Sequence, residues 1–171
     1  EQGTDGDLGT VGAGGGRNLA CPYVSAYNRS AAGFEAVREY LDRVWATGFV
    51  VHYQLIAYEN EPNNATNDAL LAAEIDAFKD HPALFAWYIA DEPDGQGIDA
   101  SELEHKYALI KARDPFHPVS MVFCAGGAAD YLSALSPSLS RDISATLYLP
   151  VLQKVGLFET CTEDMLRAIV E

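Results

Sequence analysis

Between Pro82 and Pro93 the chain runs Ala-Leu-Phe-Ala-Trp-Tyr-Ile-Ala-Asp-Glu, an apolar, aromatic-rich segment that ends abruptly in carboxylates. The run from Leu84 to Ala90 has a strand's length and is short for a helix. Its lack of alternation predicts a strand buried on both faces. Pro93 has no N–H to continue a ladder and pushes Glu92 out of the α region, so the strand ends there. Asp91, Glu92 and Asp94 therefore fall at the carboxyl end of a buried strand, where open α/β sheets and (β/α) barrels carry their binding loops. The plain alternative is that these acids mark where the strand meets water.

The rest of the chain repeats a strand–helix pattern around this segment. Residues 1–17 are glycine-rich without apolar periodicity and read as a flexible lead-in, leaving 18–171 as one folded unit. Gly12-Ala13-Gly14-Gly15-Gly16 lacks the preceding hydrophobic strand that a dinucleotide fingerprint needs. Residues 18–27 are a short first strand broken by Pro22. Ser30 caps a helix on which Phe34, Val37, Leu41, Val44 and Trp45 recur at helical spacing until Gly48; that spacing puts Trp45 in the core. Phe49 to Ile56 is a β-branched and aromatic strand with His52 and Gln54 on one face. Asn67 or Asp68 caps the next helix, with Leu71, Ile75 and Phe78 on its inner side.

After the strand at 84, Asp99 or Ser101 opens a helix whose inner face holds Leu103, Tyr107 and Ile110. A strand from Val119 to Cys124 follows, then a short helix over 128–135. Ile143 to Leu149 is read as a fifth strand, and Thr162 caps a closing helix. Strand starts near 49, 84, 119 and 143 imply parallel (β/α) repeats with right-handed crossovers. A partial TIM barrel and an open doubly wound sheet both fit. A full eight-unit barrel takes roughly 250 residues, more than the 171 here.

Composition excludes several functions. A net charge of -14 with 11 Lys+Arg argues against nucleic acid, whose phosphates need a basic face. Cys21, Cys124 and Cys161 form no CxxC pair and signal neither a disulfide framework nor a zinc site, though one bridge stays open. No apolar run has the length of a membrane span. The N-terminus has no signal-peptide pattern, so the chain is cytosolic or its true start is missing, while the sequons Asn28-Arg29-Ser30 and Asn64-Ala65-Thr66 lean weakly toward secretion. Four isolated histidines give no metal spacing, a Gly-x-Ser-x-Gly elbow and a P-loop are absent, and no cofactor is expected.

The series Lys79-Asp80-His81-Pro82-Ala83, Trp87-Tyr88-Ile89-Ala90-Asp91-Glu92-Pro93 and Tyr107 to Val119 (Lys111, Asp114-Pro115, His117-Pro118) resembles TIM-barrel glycoside hydrolases with an Asn-Glu-Pro or Asp-Glu-Pro motif closing the fourth barrel strand. The resemblance runs from about residue 34 to 125. It implies a carbohydrate substrate, Glu92 as general acid/base and Asp91 as a sugar contact. It further implies that the segments near 19, 49, 84, 119 and 143 are barrel strands two to six, an incomplete catalytic-type domain. The nucleophile of retaining members lies on a seventh strand; Glu159 is the one acid near that position and has no convincing strand around it. Leu147-Tyr148-Leu149 departs from the relatives' polar rim at strand six.

Glycosidic cleavage needs two carboxyl groups of different acidity. Burial of Glu92 beside Trp87 and Tyr88, with Asp91 adjacent, would favour its neutral, proton-donating form. Strand alternation puts Tyr88 and Ala90 on the face of Glu92, and Trp87 on that of Asp91. His52, Tyr58 with Glu59, and Tyr148 stand at strand ends that could line a sugar cleft. Their plain alternatives are a hydrogen-bonded core histidine for His52 and solvated loop charges for Glu59 and Glu61. His81 and His117, each before a proline, set loop geometry, and His105 lies on a solvated helix face. A non-catalytic carbohydrate-binding or degenerate barrel fragment is the rival function. A partial barrel would expose strand edges and so favour self-association.

Overall fold

The computed structural model describes residues 19–20, 29–55, 58–123 and 128–146. Strands and helices alternate as the sequence predicts: β1 (Leu19–Ala20), α1 (Ala31–Ala46), β2 (Val50–Gln54), α2 (Ala65–Phe78), β3 (Leu84–Asp91), α3 (Pro93–Gln96), α4 (Ala100–Arg113), β4 (Val119–Val122), α5 (Ala128–Ala134) and α6 (Pro137–Thr146). All strand pairs are parallel, and the sheet order is β1-β2-β3-β4. A doubly wound sheet reverses its strand order at a switch point. Among the described strands there is no reversal: they follow one another across the sheet as consecutive parallel (β/α) repeats.

Local chemistry explains most element boundaries. Ser30 Oγ accepts from Gly33 N–H at 3.2 Å to start α1, and Gly48 takes φ 81 just after its end. Val37, Leu41 and Val44 form its buried stripe. Trp45 is 50% exposed, against the expectation of a core residue, because it sits one position, about 100° of helix rotation, beyond Val44. The α2 cap is Asn64, a few residues ahead of the expected Asn67 or Asp68: its Oδ1 accepts from the N–H groups of Thr66 and Asn67 at 3.0 and 3.1 Å. Asn63, Asn64, Asn67 and Asp68 are all capable caps, and propensity alone does not choose among them. Asp99 caps α4 by accepting from Ser101 N–H at 2.8 Å.

The strand expected from Ile143 to Leu149 is instead entered as helix. Ser136 Oγ accepts from Leu139 N–H at 3.2 Å, Pro137 occupies the first helical position, and Leu135, Leu139 and Ile143, four residues apart, are all buried. Ile143 belongs to this helical stripe. Tyr148, Glu159, the helix after Thr162 and the lead-in over 1–17 lie outside the described residues.

The two faces of the sheet carry different chemistry. On the helix-covered face, the Tyr53 ring packs on Phe78 at 5.3 Å and edge-on to Trp87 at 5.5 Å, and Phe34 of α1 meets Phe78 at 5.6 Å. Trp87 Nε1 donates to Asp114 Oδ2 at 2.8 Å, which ties β3 to the end of α4. Asp114 also accepts from the N–H groups of Phe116 and His117 at 3.1 and 3.2 Å and contacts His117 Nδ1 at 2.7 Å. Burial alone would push its carboxyl up. The donors from Trp87 and His117 outweigh burial and hold it below the usual carboxylate range. His52, Tyr88 and Ser120 occupy the opposite face.

Candidate functional site at the carboxyl end of β3

Three strands contribute to the face opposite the helices. His52 is buried, its ring lies 5.0 Å from that of Tyr88, and its Nε2 is hydrogen-bonded to Ser120 Oγ. Ser120 Oγ donates to the Trp87 carbonyl at 3.3 Å, so the histidine nitrogen facing it carries the proton. Desolvation lowers the His52 pKa to about 4, which keeps the imidazole neutral at pH 7. His52 is therefore the hydrogen-bonded buried histidine that its position within a strand suggests. Gln54, two residues on, is 4% exposed, and its Oε1 has no hydrogen-bond partner among the described residues. Buried amide oxygens are nearly always paired.

Beyond Tyr88 the strand changes its alternation. The β3–β4 register shifts between Tyr88 and Ala90, inserting Ile89 as an extra residue. As a result Tyr88 Oη donates to Asp91 Oδ1 at 2.7 Å. Asp91 thus joins the Tyr88 side, where unbroken alternation puts it with Trp87.

At the strand end, Glu92 N–H donates to the Val122 carbonyl at 2.8 Å, and the backbone then turns left-handed at φ 51, ψ 48. It is the one described non-glycine residue with positive φ. Left-handed geometry costs a residue with a Cβ on the order of 1 kcal/mol, and such strain gathers at functional sites. The Glu92 carbonyl accepts from Gly95 and Gln96 N–H, both at 3.0 Å, opening α3. The expected burial of the Glu92 side chain is not found. It is exposed, standing in the turn after the last residue of β3.

Glu59 is not a freely solvated loop charge. Its Oε2 accepts from Asp91 N–H at 2.9 Å, and its Oε1 accepts from Gln96 Nε2 and Asn60 Nδ2, both at 3.3 Å. Gln96 Nε2 also bonds the Asp91 carbonyl, and Asn60 Nδ2 reaches Gln96 Oε1 at 3.4 Å. Tyr58 is turned away from this corner. Its ring is buried under Arg29, and its hydroxyl donates to Glu74 Oε2 at 2.6 Å, while Tyr53 donates to Glu74 Oε1 at 2.6 Å. Burial first, and the Glu74 carboxylate second, push the Tyr58 hydroxyl well above its ordinary pKa. Glu74, 1% exposed on α2, had no signal in the sequence: its partners come from another strand and a loop.

The structure thus brings His52, Tyr88 and Asp91 to one side of the sheet, with Glu92 at its carboxyl end, and places Tyr58 in the closed layer behind. Among the described residues no cluster of three or more His, Cys, Asp or Glu has the arrangement of a metal site, and no helix is long and apolar enough to cross a membrane.

No family model matches the chain. Over 66 residues it is 39% identical to an Emericella nidulans protein described as a probable mannan endo-1,4-beta-mannosidase F, a match covering 36% of this chain and 15% of that protein. The chain therefore spans only a small part of the relative's length. What is established is an α/β chain of parallel (β/α) repeats with a partial similarity to a glycoside hydrolase.

Proposed function

We propose that the chain is the central part of a glycoside hydrolase-like (β/α) barrel that hydrolyses O-glycosidic bonds, with Glu92 as general acid/base. The observation that carries this reading is the strained corner at the end of β3. There Asp91 and Glu92 are presented beside Tyr88 at the carboxyl end of a parallel sheet, where (β/α) folds keep their chemistry. The partial likeness to a mannan-cleaving enzyme supports it and suggests β-mannan as the first substrate to test.

In this reading Glu92 gives its proton to the departing glycosidic oxygen while the bond to the anomeric carbon breaks. In a retaining course, the same carboxylate later takes a proton from water. Asp91 and His52 contact the sugar, with Tyr148 as a further contact. Tyr58, expected among the sugar contacts, is buried with its hydroxyl on Glu74 and serves instead to anchor the loop that carries Glu59. Gln54 Oε1, without a partner among the described residues, is an additional acceptor suited to a hydroxyl-rich ligand. The second carboxylate comes from a strand beyond the described ones, and the wall that desolvates Glu92 comes with it.

Glu92→Gln is expected to lower hydrolysis of aryl mannosides or manno-oligosaccharides by at least about 10²-fold with little change in thermal stability, since the side chain is exposed. Full activity in the variant rejects the assignment. The exposure of Glu92 also favours one rival, a carbohydrate-binding module without cleavage. That rival predicts saccharide binding in the wild type, unchanged by Glu92→Gln, with no turnover in either protein.

A further inference from the structure

We infer that Glu59 is a positioning residue, whose carboxylate extends the sheet beyond the end of β2 and holds the Asp91–Glu92 corner in its left-handed turn. The inference rests on the reading of Glu92 as the proton donor and adds the group that aims it.

The argument starts from ladder geometry. In a parallel sheet successive N–H groups of a strand point alternately to its two neighbours. The described β2–β3 pairing ends at Gln54 opposite Tyr88, where Leu55 N–H donates to the Tyr88 carbonyl at 2.6 Å. On the other side β3 still has a partner: Glu92 N–H reaches the Val122 carbonyl of β4. Asp91 N–H therefore points toward the side where β2 has already ended. Its acceptor is Glu59 Oε2, standing where the next β2 carbonyl would. The side-chain oxygen fills the acceptor position that a strand carbonyl would take.

The other Glu59 oxygen meets Gln96 Nε2, which also bonds the Asp91 carbonyl. Both polar groups of the Asp91 backbone are thus gripped by side chains, the N–H by Glu59 and the carbonyl by Gln96, one residue before the strained turn. The loop that carries Glu59 is itself anchored. Tyr58 is fixed to Glu74 on α2, and Lys106 Nζ of α4, a buried ammonium, donates to the Glu61 carbonyl and Asn63 Oδ1, both at 3.0 Å. Two outer helices therefore fix the loop, the loop fixes Glu59, and Glu59 fixes the corner. No step requires Glu59 to touch substrate.

The test compares Glu59→Ala with Glu59→Gln, whose amide oxygen can still accept from Asp91 N–H. Two readouts are used on the same proteins: steady-state hydrolysis of an aryl β-mannoside, and backbone amide exchange at Asp91 with Trp87 as an internal control. Glu59→Ala is expected to speed Asp91 exchange at least about tenfold with Trp87 unchanged, and to lower kcat at least about tenfold with KM within about threefold. Glu59→Gln is expected to restore most of both. Unchanged Asp91 exchange in Glu59→Ala overturns the inference. So does a Glu59→Gln variant as impaired as Glu59→Ala, which would mean that charge and not the acceptor matters. If the wild type does not turn over, or Glu92→Gln stays active, the proton-donor reading fails instead, and the exchange measurement alone decides whether Glu59 holds the corner.

Discussion

The two faces of the sheet handle buried polar groups in opposite ways. On the helix-covered side, the two most buried carboxylates are closed off by partners: Glu74 takes a hydroxyl on each oxygen, and Asp114 collects Trp87, two backbone N–H groups and His117. On the other side and at the β3 corner, His52 is desolvated, an amide oxygen of Gln54 lacks a partner among the described residues, and Glu92 sits in a strained turn. The first face is arranged for stability and the second carries its cost. Binding and catalytic surfaces commonly show this division, because groups kept ready for a ligand are not optimally paired without one.

Substitutions of Asp114 on the first face and of Glu92 at the corner should therefore move stability in opposite directions. The largest effect is expected from Asp114→Ala, which leaves the buried Trp87 Nε1 without its acceptor and frees the turn before β4. A loss of about 4 kcal/mol is expected by chemical denaturation. A loss under about 1 kcal/mol would mean that the closed face is not closed by this carboxylate.

Next comes pH. Folded His52 binds a proton only near pH 4, whereas the unfolded imidazole does so near 6.5. Between these values the unfolded chain holds more protons, so the contribution is intact above about pH 6.5 and is lost as pH falls toward 4. The difference between wild type and His52→Gln should reach on the order of 3 kcal/mol across that window. A difference that stays constant with pH would place His52 in a far more solvated setting.

The smallest effect carries the opposite sign. Glu92→Gly relieves the left-handed backbone and should stabilise the fold by about 1 kcal/mol while abolishing any hydrolysis. Destabilisation would show that the Glu92 side chain has a structural role.

Much of this was legible in the residues. Leu84 to Ala90 is a strand buried on nearly its whole length, and Asp91 and Glu92 do fall at its carboxyl end. Ser30, Asp99 and Gly48 mark helix ends as their chemistry requires. Elsewhere local patterns were ambiguous. Ile143 fits a strand with the residues after it and a helix with Leu135 and Leu139 before it; packing against β4, with Asp142 tied to Tyr107 and Lys111 of α4, goes with the helix. Trp45 shares a helical period with core residues yet lies past the covered stripe.

The order of strands and helices as far as β4, and the presence of carboxylates where a buried strand ends, follow from the sequence alone, since hydrophobic period, caps and prolines act within a few residues. Which acid meets which donor was decided only in three dimensions. One extra residue at Ile89 moves Asp91 onto the face of Tyr88, and the early end of β2 turns Glu59 from a loop charge into the acceptor for Asp91. Register and strand ends are set by pairing between residues more than thirty positions apart, and a shift of one residue reverses the face on which a side chain lands.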